Sequence, residues 1–156
     1  MLRRQERRLA MFERAAYTRI DDCRLAQFPE TETGKGPLVS LELEEVLPFP
    51  VRRMYYFKRG QVDIARGNHA NFENQQLIIA IQGSFEVVLL DGHSEKVIEL
   101  NKANEGLIIR EGIWRAVQHF SADAIGLVLC SHPYDPQDYW GDFQGYLAWK
   151  RGGGMV

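Results

Sequence analysis

The stretch Leu-Ile-Ile-Ala-Ile-Gln-Gly-Ser-Phe-Glu-Val-Val-Leu-Leu-Asp-Gly-His-Ser-Glu-Lys-Val-Ile-Glu-Leu, residues 77–100, decides the fold class of this chain. Two apolar, β-branched runs, 77–81 and 85–90, are each closed by a glycine-containing turn, and 96–100 is a third run. The Asp91-Gly92 pair between the second and third runs is a strong hairpin signal. The stretch therefore predicts consecutive antiparallel strands.

The same spacing continues on both sides of this stretch. Short runs rich in β-branched and aromatic residues alternate with turn residues, which is the pattern of an all-β barrel or sandwich. Further strands are predicted at residues 39–43, 53–58, 107–110, 114–120 and 125–130. We predict a loop at residues 29–37 and a short helical or irregular tail at residues 135–150.

The bulk composition limits the class of protein. A chain of 156 residues with 45% hydrophobic and 26% charged residues is typical of one soluble domain with a buried core. The net charge of −2 offers no basic surplus for nucleic-acid binding, and no apolar run is long enough to predict a membrane span. Cys23 and Cys130 have no metal-binding or redox spacing, so we expect a reduced, cytoplasmic protein.

The chain is expected to divide into three segments. Residues 1–16 form an N-terminal extension, residues 17–150 a single domain, and residues 151–156 a flexible, glycine-rich tail. Leu9 and Phe12 in the extension fall at helical spacing. The prediction for the extension is nevertheless a disordered or only partly helical segment.

A polar segment, Arg-Gly-Asn-His-Ala-Asn-Phe-Glu-Asn-Gln-Gln at residues 66–76, runs directly into the strand that begins at residue 77. It places an arginine, a histidine, several amides and a glutamate between two strand-like runs. Polar side chains that lead into a strand are well placed to line the mouth of a barrel. We therefore expect the chemistry of this chain to lie in this segment.

A set of short motifs follows in order along the chain. They are Arg-Arg-Met-Tyr-Tyr at 52–56, Arg-Gly-Asn-His-Ala at 66–70, Gln76, Gly83-Ser84, Asp91-Gly92, Gly106-Leu107, Trp114, Phe120-Ser121, Ser-His-Pro-Tyr-Asp at 131–135 and Asp138-Tyr139. Together this ordered set resembles the dTDP-sugar 3,4-ketoisomerases, which are WxcM-like members of the RmlC-like cupin superfamily. The resemblance leaves out roughly the first sixteen residues.

The resemblance implies a cupin fold, which is a double-stranded β-helix or jelly-roll barrel, and pairing into a homodimer. It implies an isomerase that moves the keto group of a dTDP-linked 4-keto-6-deoxyhexose from C4 to C3. The reaction proceeds by proton transfer through an enediol and needs no cofactor. The context that the resemblance implies is deoxysugar synthesis for a bacterial surface glycan such as the lipopolysaccharide O-antigen.

The catalytic prediction rests on His69. An imidazole suits both proton removal at C3 and proton delivery at C4, because its pKa lies near neutrality. The family pattern is His-Ala-His, whereas this chain has His69-Ala70-Asn71, and strand alternation puts positions 69 and 71 on one face. An asparagine exchanges hydrogen bonds but carries no proton at neutral pH. The predicted catalytic set is His69, with Asn71 beside it and Tyr56 as a second group.

The substrate-binding prediction begins from the diphosphate, which favours arginine or lysine. The resemblance places three arginines at positions that face the pocket, and Lys35 lies on a loop close to the matching upstream segment. An amide that opens a strand can bind a sugar hydroxyl, and a tyrosine can stack on thymine. The predicted binding residues are Arg53, Arg66, Gln76, Arg115, Lys35 and Tyr55.

A bound metal is not expected. Many cupins hold a metal with three histidines and a glutamate, but this chain keeps only His69 of that set, and Arg115 stands where a second motif would supply a histidine. Glu73 alone does not complete a site. The histidines at 93, 119 and 132 have no spacing that forms a ligand pair.

Asn71 keeps two alternatives open beside the isomerase. One is a cupin that binds a nucleotide sugar but has lost the proton shuttle, and the other is a related epimerase that uses His69 differently. The retained arginines favour ligand binding under all three hypotheses.

Overall fold

The computed structural model describes residues 2–60 and 64–152, apart from the side chains of residues 2, 4 and 5. Strands follow one another through most of these ranges, with a helix at each end. The elements in chain order are α1 (Leu2–Tyr17), β1 (Arg24–Gln27), β2 (Glu30–Thr33), β3 (Gly36–Val39), α2 (Leu43–Val46), β4 (Arg53–Lys58), β5 (Arg66–Asn71), β6 (Gln76–Gln82), β7 (Phe85–Leu90), β8 (Glu95–Leu100), β9 (Glu105–Ile109), β10 (Trp114–Gln118), β11 (Ile125–Cys130), β12 (Tyr139–Trp140) and α3 (Phe143–Arg151).

Two five-stranded antiparallel sheets form the body of the molecule. Their strand orders are β1-β9-β6-β11-β4 and β12-β5-β10-β7-β8, and β2 and β3 form a separate two-stranded sheet. Inward-facing side chains of the two large sheets meet in one apolar core. The predicted all-β jelly-roll barrel with a short C-terminal helix is confirmed.

The residues 77–100 fold as their pattern predicts. In β7, Phe85, Val87 and Leu89 have no exposed surface, while the residues between them are partly exposed. The β7–β8 hairpin turns at Asp91, whose carboxylate accepts the backbone N–H groups of His93 and Ser94 at 2.9 and 2.8 Å. The prediction succeeds here because an apolar run that favours strand is followed directly by residues that favour a tight turn.

Two predictions upstream of β4 are wrong, and one strand was missed. The loop predicted at residues 29–37 is the β2–β3 hairpin, in which Thr33 pairs with Gly36 across a two-residue turn. The strand predicted at residues 39–43 breaks up, because Val39 ends β3 and Leu43 begins the short helix α2. Val39 and Leu41 still pack against the same apolar cluster. The alternating apolar and polar residues of this segment therefore reflect which side chains are buried, and do not indicate a paired strand. Strand β1, which pairs with β9, was not predicted.

The N-terminal extension is a regular helix, contrary to the prediction. Its composition of Leu, Arg, Gln, Glu, Ala and Met favours helix. Ala15 and Ala16 are buried against Tyr146 and Trp149 of α3, with Phe12 packed beside them. The end of the predicted flexible tail, residues 153–156, lies outside the described residues.

Helices α1 and α3 cover the outer face of the sheet that contains β5 and β10. The outer face of the other sheet is covered by a second apolar cluster that includes Phe28, Leu47 and Phe49. No helix in the described part of the chain is long and apolar enough to cross a membrane. With their outer faces covered in this way, the two sheets turn their inner faces toward the barrel interior.

Candidate active site

Strands β5 and β10 aim the central polar side chains into the barrel. They pair antiparallel, with Arg115 opposite His69. Ala70 and Trp114 point outward into the cluster with α1 and α3. Because successive side chains alternate between the faces of a sheet, His69, Asn71 and Arg115 share the inner face.

A β-bulge lies immediately before His69. Gly67 pairs with Ala116 and His69 with Arg115, so Asn68 has no partner across the ladder. Gly67 and Asn68 both have positive φ, 85° and 55°, a region that glycine and asparagine tolerate best. A side chain at Gly67 would also bring its Cβ within 3.0 Å of the Arg115 carbonyl oxygen. Bulges redirect side chains beside functional sites, and this one sets the direction of His69.

A cavity of about 290 Å³ opens between the two sheets. One part of its wall is apolar and comes from the core strands, at Phe57, Ile78, Ile109, Val117 and Val128. The polar part of the wall is formed by Tyr55, Arg66, His69, Gln76 and Arg115, with Tyr56 at the border. An apolar pocket with a few convergent polar groups is typical of a small-molecule site.

Arg115 is a buried cation at the centre of the site, with 3% of its surface exposed. Its Nε and Nη2 atoms donate to Gln76 Oε1 at 3.2 and 2.8 Å. Nη1 donates to the carbonyl oxygens of His69 and Ile113 at 3.3 and 3.4 Å, and Nη2 also donates to Asn71 Oδ1. Burial lowers the pKa of the guanidinium, which stays cationic at neutral pH because arginine is effectively always protonated.

Asn71 links Arg115 to Asp138. Its Oδ1 accepts from Arg115, and its Nδ2 donates to Asp138 Oδ2 at 3.0 Å. Asn71 is 1% exposed and both ends of its amide are engaged. The Asp138 carboxylate also accepts the backbone N–H groups of Glu73 and Asn74 at 2.8 and 3.2 Å, while burial raises its pKa. An asparagine held in this way organises charges and does not carry protons.

His69 presents a neutral imidazole to the cavity. Burial and the positive charge of Arg115 lower its pKa to about 4. Its Nε2 atom is buried and has no hydrogen-bond partner among the described residues. The Tyr139 ring packs against the imidazole with centroids 4.6 Å apart. A buried ring nitrogen without a partner, on the wall of a cavity, can take a proton from a bound molecule.

The two tyrosines of β4 face opposite ways. Tyr55 packs against the core, and its hydroxyl accepts from Gln76 Nε2 at 3.4 Å. Burial raises the pKa of Tyr55, so its hydroxyl stays protonated at neutral pH. Tyr56 is 65% exposed on the other face of the strand. Of the two, only Tyr55 directs its side chain toward the polar centre.

The predicted cationic binding residues Arg66, Arg53 and Lys35 lie in different parts of the structure. Arg66 lines the cavity, with its guanidinium 5.6 Å from the Phe57 ring centroid. Arg53 lies between the rings of Tyr55 and Tyr134, at 4.8 and 5.2 Å from their centroids. Lys35 is exposed at the turn of the β2–β3 hairpin and is not part of the cavity wall.

Asp138 and Tyr139 are site residues to which the sequence assigned no role. They belong to the matched motifs, but their effect depends on β12, which pairs with β5 so that Tyr139 lies opposite Asn71. A two-residue strand has no periodicity that a sequence can reveal. Residues 2–60 and 64–152 contain no cluster of three or more His, Cys, Asp or Glu side chains suited to hold a metal ion.

Comparison with known proteins agrees with this arrangement. The family model described as FdtA, WxcM-like, C-terminal matches residues 21–151. The chain belongs to this family. Its N-terminal helix, α1, lies outside the matched segment.

Relatives with assigned activities are sugar-nucleotide isomerases. The TDP-4-oxo-6-deoxy-alpha-D-glucose-3,4-oxoisomerase of Aneurinibacillus thermoaerophilus is 30% identical over 128 residues, which is 80% of this chain and 92% of the relative. A 3,4-ketoisomerase from Helicobacter canadensis is 36% identical, with a TM-score of 0.79 over 83% of this chain and 98% of that one. QdtA from Thermoanaerobacterium thermosaccharolyticum, in complex with TDP, is 30% identical, with a TM-score of 0.81 over 86% and 98%.

Proposed function

We propose that this protein is a sugar 3,4-ketoisomerase that converts a dTDP-linked 4-keto-6-deoxyhexose to its 3-keto isomer. The observation that carries the proposal is the unpartnered, buried Nε2 of a neutral His69, beside the buried cation of Arg115. Family membership supplies the substrate class, since relatives act on or bind TDP-linked sugars. The cavity provides the base and the positive field that an enediolate needs.

In the proposed reaction, His69 carries one proton between two carbons. Nε2 removes the proton from C3, and the electron pair forms the C3–C4 double bond as the C4 carbonyl becomes an enediolate oxygen. The hydroxyl proton on O3 moves to O4. Protonated His69 then delivers its proton to C4 while O3 becomes the new carbonyl. One base can serve both carbons because they are adjacent, so the histidine missing at position 71 is not required.

Arg115 stabilises the enediolate through its charge. Its donors are already occupied by protein oxygens, so it contributes a fixed positive field from a buried position. We propose Tyr55 in the role first given to Tyr56, as a neutral hydroxyl donor to the substrate. Asn71 becomes a positioning residue for Arg115 and Asp138.

Turnover in deuterated water tests the function. The protein is incubated with dTDP-4-keto-6-deoxyglucose in D2O, and the sugar ring is followed by NMR. We expect a 3-keto product with only partial deuterium at C4, because a single base returns some of the original proton. Binding without product or exchange would refute the isomerase in favour of a non-catalytic binding protein. Exchange with inversion at C3 or C5 and no 3-keto product would identify an epimerase.

The pH profile follows from the lowered pKa of His69. The base must be neutral, and its pKa of about 4 keeps it neutral in the free protein down to about pH 5. We expect kcat/KM at pH 5 to lie close to its value at pH 7. A histidine with an ordinary pKa near 6.5 would lose about 25-fold over the same interval. Circular dichroism at both pH values confirms that the compared samples are folded.

We further propose a cytoplasmic homodimer. Cys23 and Cys130 are both free thiols, as is usual in a reducing compartment. Exposed apolar side chains, among them Leu38 on the β2–β3 hairpin and Met54 on β4, favour a covered surface. Lys35 can contribute to substrate binding only if this hairpin reaches the cavity of a second copy.

A further inference from the structure

The N-terminal helix α1 contacts the segment that carries Asp138 and Tyr139. Phe12 packs against Trp140 and Phe72, with centroids 5.9 and 5.1 Å apart. Arg8 donates from Nη1 to Gln137 Oε1 at 2.8 Å and from Nη2 to the Gln137 carbonyl at 3.3 Å. The helix therefore touches the residues on both sides of the Asp138-Tyr139 pair.

The other end of α1 is anchored by α3. Lys150 is 1% exposed, and its Nζ donates to the carbonyl oxygens of Ala15 and Thr18 at 3.1 and 2.6 Å. A cation that binds the last carbonyls of a helix stabilises its C-terminus. Phe12 also contacts Trp149 of α3, at 5.0 Å between centroids. The helix is thus held as a fixed element and not as a loose extension.

The contacted segment is held by several elements, of which α1 is one. Strand β12 consists of Tyr139 and Trp140 and pairs with β5. Its inner side reaches the active site, where the Tyr139 ring packs against His69 and the Asp138 carboxylate accepts from Asn71 and from two backbone N–H groups. On its outer side, Trp140 packs against aromatic rings of both α3 and α1. Helix α1 therefore supplies part of the packing that seats the segment.

We propose that α1 is a positioning element of the active site, which holds Asp138 and Tyr139 against Asn71 and His69 through Phe12 and Arg8. The proposal rests on the proposed function for its effect on turnover. It extends the active site into a helix that lies outside the family's matched residues 21–151. Helix α1 would act on His69 through Tyr139, because displacement of the Tyr139 ring would expose the His69 imidazole to water.

Two substitutions with matched controls test this. Phe12→Ala removes the aromatic contact, and Leu9→Ala removes an apolar side chain from the same helix that is 58% exposed. Arg8→Gln removes the bonds to Gln137, and Arg7→Gln makes the same charge change at another exposed position of the helix. The first measurement is the NMR titration of the His69 ring in the ligand-free protein, which needs no turnover.

We expect Phe12→Ala to raise the titration midpoint of His69 by at least about one pH unit, because the ring becomes better hydrated. Arg8→Gln should shift it in the same direction by less, and both control variants should leave it unchanged. With substrate, Phe12→Ala should lower kcat about tenfold with a smaller change in KM, since the base and not the nucleotide contact is displaced. Phe12→Leu should restore most of the loss.

Unchanged titration in both test variants would overturn the proposal, and so would equal shifts in the test and control variants. If Phe12→Ala fails to fold, Arg8→Gln decides, because it alters an exposed side chain. A shifted His69 titration in a protein that shows no isomerase activity would retain the positioning role and reject the proposed function. The two failures are therefore distinguishable.

Discussion

Replacing His69 with asparagine should reduce turnover about 1000-fold, in the middle of the range for loss of a general base. The reason is specific to this chain. At position 71, on the same face, this chain has an asparagine whose amide is engaged at both ends by Arg115 and Asp138. Because an asparagine carries no proton at neutral pH, it does not replace the lost base. Steady-state kinetics and the deuterium assay measure the effect.

Binding should survive the same substitution. Asparagine is smaller than histidine and keeps a polar group on the cavity wall, and the arginines are untouched. We expect Kd for TDP, measured by calorimetry, to change less than about threefold. His93→Asn, on the exposed β7–β8 turn, is the control. More than about a tenth of wild-type kcat in His69→Asn would contradict the assigned base.

Replacing Arg115 with lysine should cost about 2–4 kcal/mol of unfolding free energy and at least about 100-fold in kcat. Lysine keeps the charge but has one donor centre in place of a planar fork. It cannot bond Gln76, Asn71 and the backbone oxygens of His69 and Ile113 together, as arginine does. Some of these buried oxygen atoms then lose their hydrogen-bond donor, and the positive charge takes a different position relative to the substrate.

Chemical denaturation and kinetics on the same protein measure both effects. Arg110→Lys is the matched control, because Arg110 pairs with Glu111 away from the cavity and is partly exposed. We expect the control to lose less than about 1 kcal/mol. Wild-type activity in Arg115→Lys would show that charge alone suffices and that the bonding geometry around Arg115 has no catalytic role.

The strands of the barrel were predictable where burial and local turn chemistry coincide. Residues 85–90 are an almost continuous apolar run rich in strand-forming residues, and Asp91-Gly92 closes the hairpin by itself, so no distant residue is needed to specify it. The β2–β3 hairpin was missed because β2 is Glu-Thr-Glu-Thr with every residue exposed, and β3 begins with Gly36-Pro37, a pair typical of turns. β1 was missed because only one of its four residues is buried.

The sequence predicted which residues line the site better than it predicted the hydrogen bonds between them. His69, Arg66, Gln76 and Arg115 were predicted from their motifs, and all four line the cavity. The choice between Tyr55 and Tyr56 was open, since alternation separates the faces of a strand without saying which face is inside. Asn71, Arg115 and Asp138 come from segments that are far apart in the chain. Their hydrogen bonds therefore cannot be predicted from the spacing of residues in the sequence.

Residue patterns by themselves determined an all-β barrel or sandwich and a polar centre on residues 66–76, and the family resemblance added the jelly-roll fold and the replacement of one imidazole by Asn71. The first two follow from residue type, strand period and short-range turns, which are local properties. The tertiary structure alone decided that Asn71 bridges Arg115 and Asp138, that the pKa of His69 is lowered by burial, and that the N-terminal helix is seated beside the site. Each of these depends on burial or on partners brought together from distant parts of the chain, which set pKa and hydrogen bonding only after folding.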